Sequence, residues 1–153
     1  MKVEEVMNRN VYSCKSSDSL KSAAQSMWDH DIGCLAVIDD KGVAIGMVTD
    51  RDLLMCATLN GSPLSDLPIS RAMSKEVHSV RMGEPVRTAE TLMQSKQVRR
   101  LLVMGPEGRC AGIISLNDLA LAAGKKRDVR PEDVVATLAS ICQPRPHAAS
   151  ARG

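Results

Sequence analysis

The sequence predicts a mixed α/β (α+β) fold. Two pseudo-symmetric β-α-β-β-α repeats pack together, and one extra helix follows them. Three observations predict it. The chain repeats itself at an offset of 66 positions: Met7 recurs as Met73, Ala23 as Ala89, Met27 as Met93, Leu35 as Leu101, Gly46 as Gly112 and Asp52 as Asp118. Within each copy, short apolar runs and stretches of helical spacing follow one another in the same order. The last helical pattern, after Pro131, has no counterpart in either copy. A repeat that holds its register through helices, turns and strands is a duplicated structural unit. Two such units are expected to meet about a pseudo-two-fold axis, with clefts where they join.

In the first copy, Val11–Cys14 reads as a short strand. Ser17 or Asp18 is placed to cap a helix over Leu20–Asp31. Leu20, Ala23, Ala24 and Met27 lie on one face of that helix, and Gly33 is expected to stop it. Cys34–Ile38 is a continuous apolar strand. Asp39–Gly42 is a hairpin turn, with glycine supplying positive φ. Ala44–Thr49 is the returning strand, and a helix follows over Arg51–Ala57. The second copy has strands at Val77–Val80, Leu101–Met104 and Ala111–Ser115. Its helices run from Pro85 to Gln97 and over Leu119–Ala123. These elements divide the chain into a first repeat (1–58), a Gly/Pro-bearing linker (59–68) and a second repeat (69–124). An added C-terminal helix (125–142) and a disordered, Pro/Ala/Ser-rich tail (143–153) complete it. Val134, Val135, Leu138 and Ile141 form the apolar stripe of the added helix. That stripe either covers the module or packs on another subunit.

Composition narrows the function. A chain of 153 residues that is 44% hydrophobic and 25% charged reads as a globular domain. Tyr12 and Trp28 are its only aromatic residues, so it lacks the stacking platforms of single-strand nucleic-acid binders. A net charge of +2 gives little pull on nucleic acid or anionic membranes. No apolar run is long enough to cross a bilayer, and the acidic N-terminus does not resemble a signal peptide, so a cytoplasmic location is expected. The five cysteines form no Cys-x-x-Cys pair and have no histidine at ligand spacing, which argues against a zinc site. A Cys14–Cys142 disulfide would tie the C-terminal helix to the body, although a reducing cytosol disfavours it.

The chemistry concentrates at the end of each repeat, in Gly46-Met47-Val48-Thr49-Asp50-Arg51-Asp52 and Gly112-Ile113-Ile114-Ser115-Leu116-Asn117-Asp118. In each, a strand ends at a hydroxyl residue and a helix begins directly after it. Thr49 and Ser115 fall at the N-cap, with Asp52 and Asp118 three residues on. As local structure this is a capping box with aspartate in place of glutamate. As chemistry, the carboxylate can accept hydrogen bonds from a ribose diol while helix N–H groups and nearby bases hold phosphate. Both readings stand at this level. No catalytic constellation accompanies them. There is no nucleophile elbow, Walker loop or dinucleotide fingerprint, and the two aspartates belong to separate equivalent sites. The chain is not expected to be an enzyme.

Over residues 3–123 the chain resembles a tandem pair of cystathionine-β-synthase (CBS) domains, known as a Bateman module. The resemblance rests on Val6-Met7, Leu35–Asp39 and Gly46–Leu53, and on Ala72-Met73, Arg100–Val103 and Gly112–Leu119. It departs at Ala36 and Leu102, where many members carry proline. The resemblance implies a regulatory module that binds AMP, ADP, ATP or S-adenosylmethionine in clefts between the repeats, with no required cofactor. It implies that Asp52 and Asp118 hold ribose hydroxyls beside Thr49 and Ser115. Backbone groups around Ser13 and Ser79 would line the adenine, and Ile32 and Val98 would wall it. Arg99 and Arg100 would reach phosphate in one cleft or both, with Arg51 and His78 as further candidates. It also implies a homodimer through the Leu20–Asp31 and Pro85–Gln97 helices, with Met27, Trp28 and Met93 exposed on that face, and an unidentified protein effector. Two alternatives remain at this level: a ligand-free dimeric scaffold, and a thiol-responsive stress protein that uses Cys14 and Cys142.

Overall fold

The computed structural model describes residues 1–125 and 128–145. It has two three-stranded sheets and five α-helices. The first half contains β1 (Ser13–Lys15), α1 (Leu20–Asp29), β2 (Cys34–Ile38), β3 (Ala44–Thr49) and α2 (Asp50–Asn60). The second contains β4 (Ser79–Arg81), α3 (Val86–Lys96), β5 (Arg100–Met104), β6 (Cys110–Ser115) and α4 (Leu116–Gly124). α5 (Pro131–Ile141) follows. Of the expected disordered tail (143–153), residues 146–153 lie outside the described residues, as do Lys126 and Arg127, while Gln143 and Arg145 are hydrogen-bonded to Gln97 rather than disordered.

Each sheet is built the same way. The outer strand pairs in parallel with the middle one, Ser13 opposite Ala36 and Ser79 opposite Leu102. A parallel pair needs a crossover, which α1 and α3 supply. The middle strand then pairs antiparallel with the third through a tight turn, where Gly42 (φ 78°) and Gly108 (φ 72°) take the left-handed conformation. β2 and β5 are almost wholly buried, so they read as continuous apolar runs rather than alternating ones.

The halves exchange their leading segments. Residues 3–8 precede the first sheet but pack on the second: Val3 and Met7 belong to the second hydrophobic core. Asn8 and Ile113 exchange backbone hydrogen bonds of 2.8 and 2.9 Å. In mirror fashion Ile69 and Met73 pack into the first core, and Ser74 and Met47 exchange bonds of 2.8 and 3.1 Å. This explains two of the repeated identities. A Cβ on Gly112 would stand 2.7 Å from Met7 Sδ and 2.9 Å from the Asn8 carbonyl, and one on Gly46 would overlap the Met73 methyl and the Ser74 carbonyl. Met7/Met73 and Gly46/Gly112 are therefore the two sides of one packing contact, made twice.

Several expectations are corrected. β1 and β4 begin two residues later than expected. α1 is capped by Ser19, whose hydroxyl accepts from Ser22 N–H at 3.1 Å. The Asp18 carboxylate instead closes the preceding turn on Lys15 N–H at 2.8 Å. α1 ends before Gly33, and Asp31 turns the chain at φ 52°; its counterpart Gln97, at φ 50°, does the same after α3. α2 extends to Asn60, and short 3₁₀ turns occupy Leu64–Asp66 and Ile69–Arg71. Met27 and Met93 are core residues, 5% and 0% exposed, because each faces its own sheet; only Trp28, at 84%, stands out in solvent. α5 packs on α3 and α4 of its own chain. Its buried face is Thr137 and Ile141, with Val134 half-buried, while Val135 and Leu138 are exposed. All five cysteines are free thiols. The Cys14–Cys142 bridge is not made, since Cys14 lies in the first core and Cys142 is exposed at the end of α5 against the second half.

Candidate functional site

Two cavities lie where the halves meet. The larger, of about 940 Å³, takes Met47, Thr49, Asp50, Arg51 and Asp52 from the first repeat. From the second it takes Ser74, Glu76, His78, Val98, Arg99 and Arg100. The smaller, of about 220 Å³, takes Ile113, Ser115, Asn117 and Asp118 from the second repeat. From the first it takes Asn8, Asn10, Tyr12, Ile32, Gly33 and Cys34. Moving the sequence by 66 positions turns one lining into the other: Asn8 becomes Ser74, Tyr12 becomes His78, Ile32 becomes Val98 and Asp52 becomes Asp118. The exchange of leading segments makes this so, because it sets the start of each repeat beside the capping motif of the other.

The capping boxes form in both repeats. Asp52 Oδ2 accepts from Thr49 N–H (2.9 Å) and from the Thr49 hydroxyl (2.8 Å), and that hydroxyl accepts from Asp52 N–H (3.2 Å). Asp118 and Ser115 repeat the pattern at 2.7, 2.5 and 3.3 Å. Each carboxylate spends one oxygen, Oδ2, on the helix terminus, while Oδ1 takes none of these bonds. Capping and ligand binding are therefore compatible uses of one residue. Both aspartates are half-buried and line their cavities.

Of the residues singled out from the sequence, Thr49, Asp52, Val98 and Arg99 meet at the larger cavity, and Ile32, Ser115 and Asp118 at the smaller. Arg100 lines both. Its guanidinium stands beside Gly33 and Asp50, near the join of the halves. Ser13 and Ser79 line neither cavity. They lie in β1 and β4, and the preceding residues, Tyr12 and His78, stand at the cavity walls. The Tyr12 and His78 carbonyls accept from Ala36 and Leu102 N–H, both at 3.1 Å.

The cavities differ in charge. The larger has Arg51, Arg99 and Arg100 where the equivalent positions of the smaller are Asn117, Gly33 and Cys34. Glu76 in the larger cavity is engaged by Lys96 at 3.2 Å. Residues missed from the sequence include Ser74, Glu76, Asn8 and Asn10, which the repeat offset alone would have paired once the exchange was known. Gln97, whose counterpart Asp31 lines the smaller cavity, also lines the larger one, as do Ile141, Cys142 and Arg145, which have no repeat partner. Among the described residues, no three His, Cys, Asp or Glu side chains stand close enough to hold a metal ion. Among them, too, no helix is long and apolar enough to cross a membrane.

Paired β-α-β-β-α repeats with a cleft on each side of their join define a duplicated two-cleft architecture. The CBS domain family matches residues 3–57 and 65–125, and the chain belongs to that family. It is 32% identical over 119 residues to the CBS domain-containing protein YhcV of Bacillus subtilis, covering 78% of this chain and 83% of YhcV. The crystal structure of the CBS domain protein TA0289 of Thermoplasma acidophilum superposes with a TM-score of 0.78 at 23% identity, over 92% of this chain and 75% of that one. The CBS domain pair of MJ0100, solved with 5′-methylthioadenosine and S-adenosyl-L-methionine, superposes with a TM-score of 0.75 at 22% identity, over 83% and 98% of the two chains.

Proposed function

We propose that the chain is a non-catalytic regulatory module that takes an adenosyl ligand between its repeats and relays occupancy through dimer or partner contacts. The observation that carries this reading is the pair of cavities, each joining the Thr/Ser–Asp motif of one repeat to the leading segment of the other. Asp52 and Asp118 each keep Oδ1 for a ribose hydroxyl, and Val98 and Ile32 offer apolar surface to the base. The adenosyl compounds held by the MJ0100 pair support the same use of this fold. Charge supports a different ligand in each cleft. Arg51 and Arg99 favour a phosphorylated adenosine (AMP, ADP or ATP) in the larger cleft, since guanidinium groups hold phosphate bidentately. The smaller cleft, with Asp31 and Asp118 against Arg100 alone, suits an uncharged or cationic adenosyl compound such as S-adenosylmethionine.

Thermal unfolding with AMP, ADP, ATP and S-adenosylmethionine in millimolar excess tests the reading. A compound at 100 times its dissociation constant stabilises by about 2.7 kcal/mol, a rise of roughly 5 °C for a domain of this size. Loss of the rise in Asp52→Ala for nucleotides, and in Asp118→Ala for the sulfonium, is the expected pattern. No rise with any compound, in protein shown to carry no co-purified ligand, favours the scaffold reading. The thiol reading is weakened at Cys14, where burial and then the nearby Asp18 charge push the thiol up to about 11, leaving little thiolate at neutral pH.

Trp28, Leu54, Leu59 and Leu121 are exposed on α1, α2 and α4, large apolar side chains of the kind buried in subunit contacts. Sedimentation equilibrium of the protein and of Trp28→Glu tests the homodimer: a dimer in the first and a monomer in the second is expected.

A further inference from the structure

We infer that the C-terminal extension, which lies beyond the CBS repeats, is part of the larger ligand site, with Arg145 as a phosphate ligand. This rests on the nucleotide reading of that cleft. Through residue 145 the extension is tied to the cleft. Gln97 donates from Nε2 to the Ser140 carbonyl at 3.1 Å and to the Gln143 carbonyl at 3.0 Å. The Arg145 guanidinium in turn donates to the Gln97 carbonyl. Gln97 is the left-handed residue that leads straight into Val98-Arg99-Arg100. Among the described residues, no such segment docks on its counterpart at the smaller cleft, Asp31, so the extension makes the two clefts unlike each other.

The electrostatics point the same way. Arg51, Arg99 and Arg145 line one cavity, and none forms an ion pair with a described residue. Arg100 and the carboxylates of Asp50, Asp52 and Glu76 line the same cavity, so four arginines face three acids and an excess of positive charge is left for an anion. Arg145's hydrogen bond is to a neutral carbonyl, which a phosphate oxygen outcompetes because that bond is charge-assisted. A nucleotide phosphate between Arg51 and Arg99 then draws Arg145 onto itself and holds the end of α5 against the cleft. Occupancy and docking of the extension reinforce each other, by the same factor in both directions. The extension is thus the element through which this cleft's occupancy is displayed on the surface.

Calorimetric titrations with ADP and adenosine separate this inference from the reading beneath it. Arg145 is exposed, so Arg145→Ala is expected to fold normally. It should weaken ADP by about tenfold or more and leave adenosine unchanged, whereas Asp52→Ala should weaken both. ADP binding that Asp52→Ala abolishes and Arg145→Ala leaves untouched overturns the inference alone. Wild-type protein that binds neither compound overturns the nucleotide reading and this inference with it. A second readout uses the exposed Cys142 thiol in the same cavity wall. ADP is expected to slow its alkylation, measured by mass spectrometry, and an unchanged rate at saturating ADP counts against the docked extension.

Discussion

Asp118 shows how one side chain serves two levels of the structure. Its Oδ2 completes the cap of α4, and its Oδ1 is left for the cleft. Asp118→Ala is expected to lower the stability of the ligand-free protein by about 1 kcal/mol, read by urea denaturation. A variant with normal stability would mean that the cap is redundant. Glu90 is a different case. It is a buried acid on α3, 6% exposed. Burial first, then the nearby Asp133 charge, raises its pKa against the opposing pull of Arg87 and Arg130. An acid whose folded pKa lies above its unfolded value contributes stability below the unfolded pKa, near 4.3. That contribution is lost as pH rises through the folded value. Glu90→Gln is therefore expected to unfold at a higher temperature than wild type at pH 7, with the gap closing below about pH 4. A gap that widened on acidification would show that the carboxylate is stabilised rather than penalised. At this scale the sequence was informative where two copies agreed, as at Thr49/Ser115 and Asp52/Asp118. It was uninformative at Gln97 and Arg145, whose roles arise from a segment without a repeat partner.

At the scale of elements, the strands β2 and β3 were legible to the residue and α5 was legible at its start, because apolar runs bounded by Gly42 or opened by Pro131 leave little freedom in where they begin. The exchange of leading segments was not legible. Apolar spacing says that Met7 and Met73 are buried, and nothing in it says under which sheet. The face of α5 was misjudged for a related reason. Periodicity favoured Val135 and Leu138, whereas tertiary packing buries Thr137, whose hydroxyl accepts from Gln94 Nε2 and donates to the Asp133 carbonyl, both at 2.8 Å. Thr137→Val keeps the shape and strands the Gln94 donor, at an expected cost of about 1 kcal/mol. Hydrogen exchange localised to α5 would register it, and uniform exchange across the chain would not fit. Gly112→Ala should be felt more widely. Its Cβ has no room against the Met7 sulfur and the Asn8 carbonyl, and overpacking of this kind costs about 1–3 kcal/mol.

For the molecule as a whole, duplication supplies two clefts and divergence separates them. Arg51 and Arg99 stand on one side only, where the other has Asn117 and Gly33, and the end of the added helix lines that same side. The two clefts thus share a backbone plan while differing in the charge they offer. Because a ligand shifts a conformational equilibrium only by its differential affinity for the two states, a module with unlike clefts can respond differently to two adenosyl compounds.

The exchanged leading segments make the two halves depend on each other. A single copy standing alone would lack the cover over its own sheet, since residues 3–8 roof the second half and residues 69–74 the first. One copy could complete itself only by lending its first residues to a twin and borrowing the twin's in return. The same topology makes a cut in the segment between α2 and β4 a mild injury, for the two pieces still hold each other by the arms.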